Sequence, residues 1–297
     1  MTQGGCCKKR ATQPVNPKMI LVTGATGKQG RAVVAHALQR GFAIRALTRS
    51  PQKPAALALG ALGAEIAQGD MEDSASLRRA MTGIHGVFCT QNYWEKGVGY
   101  DGEIRQGRNL IEAASAAGVG HFVHSSVSGC DRARGLGHFE AKWEIEKHIL
   151  ASGLPHTFLR SVFFMENFLD PKTGPLTITV LAGALKPDCA LHMIAVDDIG
   201  WFAAEAFANP QQYLGQTVDI AGDCLTVAQM KQAIEKVTGR KPLGFKSPLW
   251  LFRLIYPEVA AQFAWNNRGG WNFDVEAVRK IHPGAIRFET FLNKHRS

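Results

Sequence analysis

Three glycines spaced three apart, Gly24, Gly27 and Gly30, stand in the segment Thr23-Gly-Ala-Thr-Gly-Lys-Gln-Gly30. Gly24 lets the chain turn sharply, Gly27 lets backbone N–H groups approach a pyrophosphate with no Cβ in the way, and Gly30 lets a following helix lie close on the strand before it. A bound anion would then sit at the positive end of that helix. Glycine suits any tight strand-to-helix turn, so the triplet alone says little. Here the apolar run Met19-Ile-Leu-Val22 precedes it and an amphipathic segment follows, which is the context that dinucleotide binding requires. Thr26, Lys28 and Gln29 lie in the same turn and are assigned to the cofactor with the three glycines.

The elements that must position this turn follow a regular rhythm. Beyond Met19–Val22, strand-length apolar runs occur at residues 43–48, 64–68, 86–90, 120–125 and 156–160. Helical patterns lie between them at 29–40, 52–62, 74–81, 103–117 and 139–151, with Gly41, Gly118 and Gly153 as stop signals. This alternation predicts an α/β fold with a doubly wound parallel sheet of the Rossmann type. After Arg160 the rhythm degrades, with Pro171, Gly174, Pro175 and Pro187 interrupting short segments. The expected organisation is a flexible extension over 1–17, a dinucleotide-binding domain over 18–160, and a smaller C-terminal substrate lobe over 161–297 with elements returning to the main domain.

Composition bounds the function. The chain has 297 residues, 45% hydrophobic and 20% charged, ordinary usage for a packed globule. No run of 18 or more uncharged apolar residues is present, which argues against a membrane span, and no signal peptide is visible. Six cysteines, Cys6, Cys7, Cys89, Cys130, Cys189 and Cys224, show no C-x-x-C spacing, so neither a disulfide framework nor a zinc site is expected and the compartment reads as reducing and cytoplasmic. Cys6-Cys7 beside Lys8-Lys9-Arg10 reads either as an acylation site or as a solvated tail. The formal charge of +9 suits an anionic cofactor; without a recognisable nucleic-acid module, no nucleic-acid partner is expected.

Cofactor choice is written at the end of the second strand. An acid there would hold the ribose hydroxyls of NAD, and a cation would accommodate the 2′-phosphate of NADP. Positions 44–53 contain no acid but do contain Arg45, Arg49 and Lys53. Arg49, just past the strand, could grip a phosphate bidentately, so NADP(H) is expected. Asp70 and Met71 follow the third strand. Asp70 is placed either to meet the adenine amino group or to cap the helix that begins near Ser74.

These residues carry a resemblance. The glycine turn, Leu47-Thr-Arg-Ser-Pro51, Gln68-Gly-Asp70, Arg160-Ser-Val-Phe-Phe-Met-Glu-Asn167 and the terminal Ile281-His-Pro-Gly-Ala-Ile-Arg-Phe-Glu-Thr-Phe-Leu292 resemble the NmrA-like family, atypical members of the short-chain dehydrogenase/reductase superfamily. The likeness implies an NADP-binding Rossmann domain with a small C-terminal lobe. It places Asn92 and Tyr93 beside the cofactor. Members divide into reductases of small molecules such as quinones and catalytically silent proteins that sense NADP(H) and bind partners.

The resemblance also frames His138-Phe-Glu-Ala-Lys142. Superfamily reductases carry Tyr-x-x-x-Lys here, and the i, i+4 spacing puts both side chains on one helix face. Lys142 matches the family lysine, while His138 replaces the tyrosine. The imidazole can act as a general acid, although the neighbouring ammonium opposes its protonation, or as a neutral hydrogen-bond donor to a carbonyl. Ser126, at the end of the fifth strand, resembles the superfamily serine or is a cap. The expected catalytic set is thus Lys142, His138 and Ser126. No metal is expected, since His121 and His124 fall on opposite faces of a strand. Asp197 and Asp198 read as helix-capping carboxylates. The apolar stretch Pro248–Pro257 either lines a substrate cleft, packs on a second subunit, or is core. The expected function is NADPH-dependent reduction of a small quinone or carbonyl compound; the rival is a redox sensor that regulates a protein partner. A homodimer fits either expectation.

Overall fold

A computed structural model describes residues 17–242, 254 and 256–296. The expected flexible extension, with Cys6 and Cys7, and most of the apolar stretch 248–257 lie outside the described residues.

Strand β1 (Met19–Val22) has Ile20, Leu21 and Val22 fully buried, because both faces of a parallel sheet are covered by helices. It pairs in parallel with β2 (Ala43–Thr48) on one side and β4 (Gly86–Cys89) on the other. With β3 (Glu65–Gln68), β5 (His121–Val127), β6 (His156–Ser161) and the later β9 (Gln216–Asp219), the order is β3-β2-β1-β4-β5-β6-β9, all parallel. The chain runs outward from β1 to β3 and then restarts at β4. The crevice at the carboxyl ends of β1 and β4 is therefore the switch point at which such sheets bind ligands.

Helices α1 (Lys28–Gln39), α2 (Pro54–Ala61), α3 (Ser74–Ala80), α4 (Gly99–Ala116) and α5 (Gly137–Ser152) match the alternation expected from sequence, with shifted ends. Helix α2 starts two residues later than expected, with Pro54 in the first turn, where a missing N–H costs nothing. Helix α4 starts four residues earlier, since Gly99-Tyr-Asp-Gly102 carries no apolar repeat by which a sequence pattern could place it. One apolar layer joins β1, β5 and β6 to α1 and α7 (Val196–Ala208); the other joins the opposite face to α3, α4 and α5. Gly200 of α7 lies so close to α1 that a Cβ would come within 2.6 Å of the Ala32 carbonyl carbon.

Beyond Arg160 come the short β7 (Phe163–Phe164), α6 (Gly174–Ala184) and β8 (Leu191–Ile194). After α7 follow α8 (Pro210–Tyr213), β9, β10 (Asp223–Leu225) and α9 (Val227–Thr238), then α10 (Pro257–Asn266), α11 (Val275–Ile281) and α12 (Phe288–Lys294). A second sheet has the order β10-β8-β7. Strand β9 and helix α7 return to the main sheet, so the C-terminal half both extends that sheet and builds a separate wall over its switch point.

The expected capping by Asp197 and Asp198 is corrected. Helix α7 begins after Ala195 with no side-chain cap, although both acids lie in its first turn. Asp198 is buried and accepts hydrogen bonds from Ile286 N–H and His282, while Asp197 faces His36 and Lys294. Their carboxylates hold the C-terminal segment and α1 to α7 instead of closing the helix.

Candidate functional site

The glycine turn has the backbone its spacing predicted. Gly24 sits at φ +57°, a left-handed conformation that favours glycine, and a Cβ there would lie 2.9 Å from Thr90 Cγ2. A Cβ on Gly30 would come within 2.5 Å of Ala25 Cα, so helix and turn touch backbone to backbone. Gly27 is the N-cap of α1, and neither a capping side chain nor an acid in the first turn engages the free amides. These donors open onto a cavity of ≈ 880 Å³ lined by Gly24, Thr26, Gly27, Lys28, Gln29 and Gly30. Arg49, Lys53, Asp70, Met71 and Asn92 line the same cavity, so the structure gathers these expected cofactor residues around one cleft.

Several details differ from the sequence reading. Arg49 is not free: its Nη2 donates to Glu95 Oε1 at 2.5 Å, and this bond raises the guanidinium pKa above its ordinary value. Arg45 turns away to Glu65 and to the carbonyls of Ala80 and Thr82. Asp70 does not cap α3; Asp73 does, accepting from Ala75 N–H, while Asp70 closes a local turn with Glu72 N–H.

A second cavity of ≈ 890 Å³ adjoins the first, and Gln29, Thr90, Gln91, Asn92, Trp94 and Phe164 line both. Its far wall comes from the C-terminal half: Phe163 and Phe164 at β7, Leu176, Val180 and Leu181 on α6, and Val259, Gln262 and Phe263 on α10. Tyr93, Trp94, Phe139 and Trp271 make it strongly aromatic. Tyr93 thus lies on this side, not in the cleft with the glycine turn.

The i, i+4 pair projects into this region as expected, since His138 and Lys142 both line the second cavity. Lys142 Nζ lies 2.9 Å from Glu103 Oε1 and donates to Gln91 Oε1 at 3.2 Å, where the two cavities meet. Glu103 is almost completely buried, so its charge is held by that ammonium. His138 Nε2 faces Gln262 Oε1 at 3.2 Å, and Nδ1 lies 3.4 Å from Glu258 Oε2. Burial depresses the imidazole pKa, opposed by Gln262, Glu258 and Glu103. The largest cause is therefore desolvation. Both ring nitrogens are turned to protein partners. Tyr93 donates its phenol to Glu258 Oε1 at 2.5 Å, and burial followed by this bond pushes its pKa up.

Ser126 lines the same cavity as His138 and Lys142, but its hydroxyl is turned into the protein. Its hydroxyl donates to Glu146 Oε1 at 2.6 Å, within a buried set in which Arg160 also binds Glu146 and reaches Asp131. Its neighbour Ser125 turns the other way and donates to Gln29 Oε1 of the glycine turn. His121 and His124 lie on opposite faces, one against Phe207 and the other against Phe158. Among the described residues no grouping of His, Cys, Asp and Glu could hold a metal, and no helix is long and apolar enough to cross a membrane.

Sequence reasoning missed Gln91, Glu103, Glu258 and Gln262. Gln91 could have been found, since it directly follows strand β4 at the binding edge of the sheet. Glu103 and Gln106 occupy the apolar stripe of α4 that continues at Leu110, and an acid on such a stripe is a signal. Nothing local marks Glu258 or Gln262, which arrive from a helix more than a hundred residues away.

Comparison with known proteins follows the same outline. The model of the NmrA-like family matches residues 16–266. An NmrA-like family domain-containing oxidoreductase of Aspergillus hancockii is 32% identical over 254 residues, covering 77% of this chain and 75% of its own. The NADPH-dependent quinone oxidoreductase of Escherichia coli, solved with NADPH, is 25% identical with a TM-score of 0.78, covering 93% of this chain and 99% of that one. The fold is also that of NmrA, a negative transcriptional regulator solved with NADP, at 20% identity and a TM-score of 0.75, covering 94% and 95%.

Proposed function

The chain belongs to the NmrA-like family, and from that premise we propose that it binds NADP(H) and reduces a small aromatic acceptor of the quinone type. The cofactor fits the residues present. The uncapped amides of α1, the Cβ-free approach at Gly27 and the cations Lys28, Arg49 and Lys53 suit the phosphates of a dinucleotide. When bound, NADPH supplies a hydride. Thr26, Gly27, Lys28 and Gln29 would hold the pyrophosphate, Arg49 the 2′-phosphate, and Asp70, Met71 and Asn92 the flanking parts. Lys142, braced by Glu103 and Gln91 where the cavities meet, is assigned to the nicotinamide end.

The observation that carries the substrate class is the state of His138. Burial holds its imidazole below its ordinary pKa, so the ring carries a single N–H, for which two facing protein oxygens, Gln262 Oε1 and Glu258 Oε2, compete, and Nδ1 makes no hydrogen bond. A ketone that accepts hydride becomes an alkoxide and needs a proton donor in the transition state. A quinone becomes a phenolate, whose conjugate acid has a pKa of about 10, as in tyrosine, so water can protonate it. The aromatic walls around Tyr93, Trp94, Phe139 and Trp271 suit such a flat acceptor by stacking. The same neutral histidine also suits the second reading, a sensor of NADP(H) that acts through a protein partner, because a sensor needs no acid.

The test is a screen of quinones, aldehydes and ketones for NADPH oxidation, followed by absorbance. Quinones should be reduced and simple ketones should not. His138→Ala should slow quinone turnover far less than the ~10²–10⁴-fold associated with loss of a general acid. If no acceptor oxidises NADPH while NADPH still binds and changes protease sensitivity, the sensor reading replaces this one.

A further inference from the structure

We propose that Glu95 is a built-in competitor for the 2′-phosphate of NADP(H), and that displacing it links cofactor choice to the wall of the substrate cavity. The proposal rests on the assignment of the 2′-phosphate to Arg49. Arg49 stands one residue beyond β2, and Glu95 comes from the segment between β4 and α4, which crosses the mouth of the same cavity. Their atoms Nη2 and Oε1 are 2.5 Å apart, so the guanidinium already holds an anion where the phosphate must bind. The pair is accessible, with side chains 59% and 35% exposed, which leaves room for exchange.

The exchange has a direction. A phosphate monoester carries roughly −1.5 to −2 charges at neutral pH, against −1 for a carboxylate, and offers three acceptor oxygens. It should therefore take the guanidinium from Glu95, whereas the 2′-hydroxyl of NADH cannot. Lys53 and Asp70 also line this end of the cavity; Asp70 adds a second negative charge near Arg49, which a released Glu95 would have to avoid. The displaced carboxylate then moves with its segment, whose turn is closed by Glu95 N–H to Asn92 O and Val98 N–H to Glu95 O. Trp94, the preceding residue, lines both cavities and packs 4.9 Å from Tyr93 and 5.3 Å from His138, centroid to centroid. Phosphate recognition at one end would thus be felt at the aromatic wall of the other.

The experiment compares the parent, Glu95→Gln and Arg49→Ala by calorimetric titration with NADPH, NADH and adenosine 2′,5′-bisphosphate. Trp94 emission is isolated by subtracting a Trp94→Phe variant. Glu95→Gln should tighten NADPH and the bisphosphate roughly threefold or more and leave NADH unchanged, as expected for removing an exposed carboxylate that competes with and repels a phosphate. In the parent, the bisphosphate and NADPH should change Trp94 emission. Weaker NADPH binding by Glu95→Gln would mean that Glu95 orients Arg49 and does not compete, and unchanged Trp94 emission would remove the link to the cavity; either result overturns the proposal. An unaltered NADPH-to-NADH preference in Arg49→Ala would instead refute the 2′-phosphate assignment beneath it.

Discussion

Gly27→Val isolates the role of the glycine turn, because the structure separates what this position does for folding from what it does for a ligand. Its φ of −81° and ψ of 176° are ordinary extended backbone that valine adopts freely, and a Cβ would meet only Gly24 O, at a tight 3.1 Å that a small shift of the turn must relieve. The folding cost is the exchange of a tolerated N-cap for a poor one, about 1 kcal/mol, or a fall in melting temperature of about 2–4 °C. Binding should suffer much more. A branched side chain at the first turn of α1 keeps a phosphate from the amides, and losing two charge-assisted hydrogen bonds of about 1.5–3 kcal/mol each weakens NADPH roughly 10²–10⁴-fold. Circular dichroism would follow melting, and NADPH fluorescence titration would follow binding. A folded variant that binds NADPH within about threefold of the parent would refute the reasoning, since the cofactor then approaches elsewhere. Gly30→Ala is the contrast: its Cβ meets backbone within 2.5 Å, so it should lose stability as well as binding.

Lys142→Met strips the ammonium from the buried Glu103, so urea unfolding should show a loss of about 3–5 kcal/mol. Adding Glu103→Gln should recover most of that stability but not NADPH binding; recovery of both would show that Lys142 serves the fold alone. The buried His121 has its pKa pushed down to about 4 by desolvation, below the unfolded value of about 6.5. As pH falls, the unfolded chain takes up this proton first, so the contribution to stability is complete above about pH 6.5 and is lost progressively toward about pH 4. Between about pH 7 and pH 5 the parent should therefore lose about 2 kcal/mol that His121→Phe keeps; equal losses in both proteins, measured by urea midpoints, would assign the pH response to other groups.

Much of the framework was legible because it is local. A run of four apolar residues, three glycines at fixed spacing and an amphipathic segment can fold into little else than a strand, a tight turn and a helix, and their alternation dictates a parallel sheet with a switch point. The i, i+4 spacing likewise fixed that His138 and Lys142 share a helix face, whatever that face meets. The identity of what it meets was not local. Glu103 reaches Lys142 from the neighbouring helix α4 and Gln91 from the end of β4, while Glu258 and Gln262 reach His138 from a helix that the chain supplies 120 and 124 residues later. Those partners, and the burial they create, decide whether the histidine is an acid or a neutral side chain whose one N–H is drawn to protein oxygens. Asp197 and Asp198 make the same point: position at a helix start predicted caps, yet Asp198 is held by Ile286 and His282 because the C-terminal segment packs there. Sequence spacing determines which directions side chains take from their own element, and only tertiary packing determines which distant group, and how much water, stands in that direction.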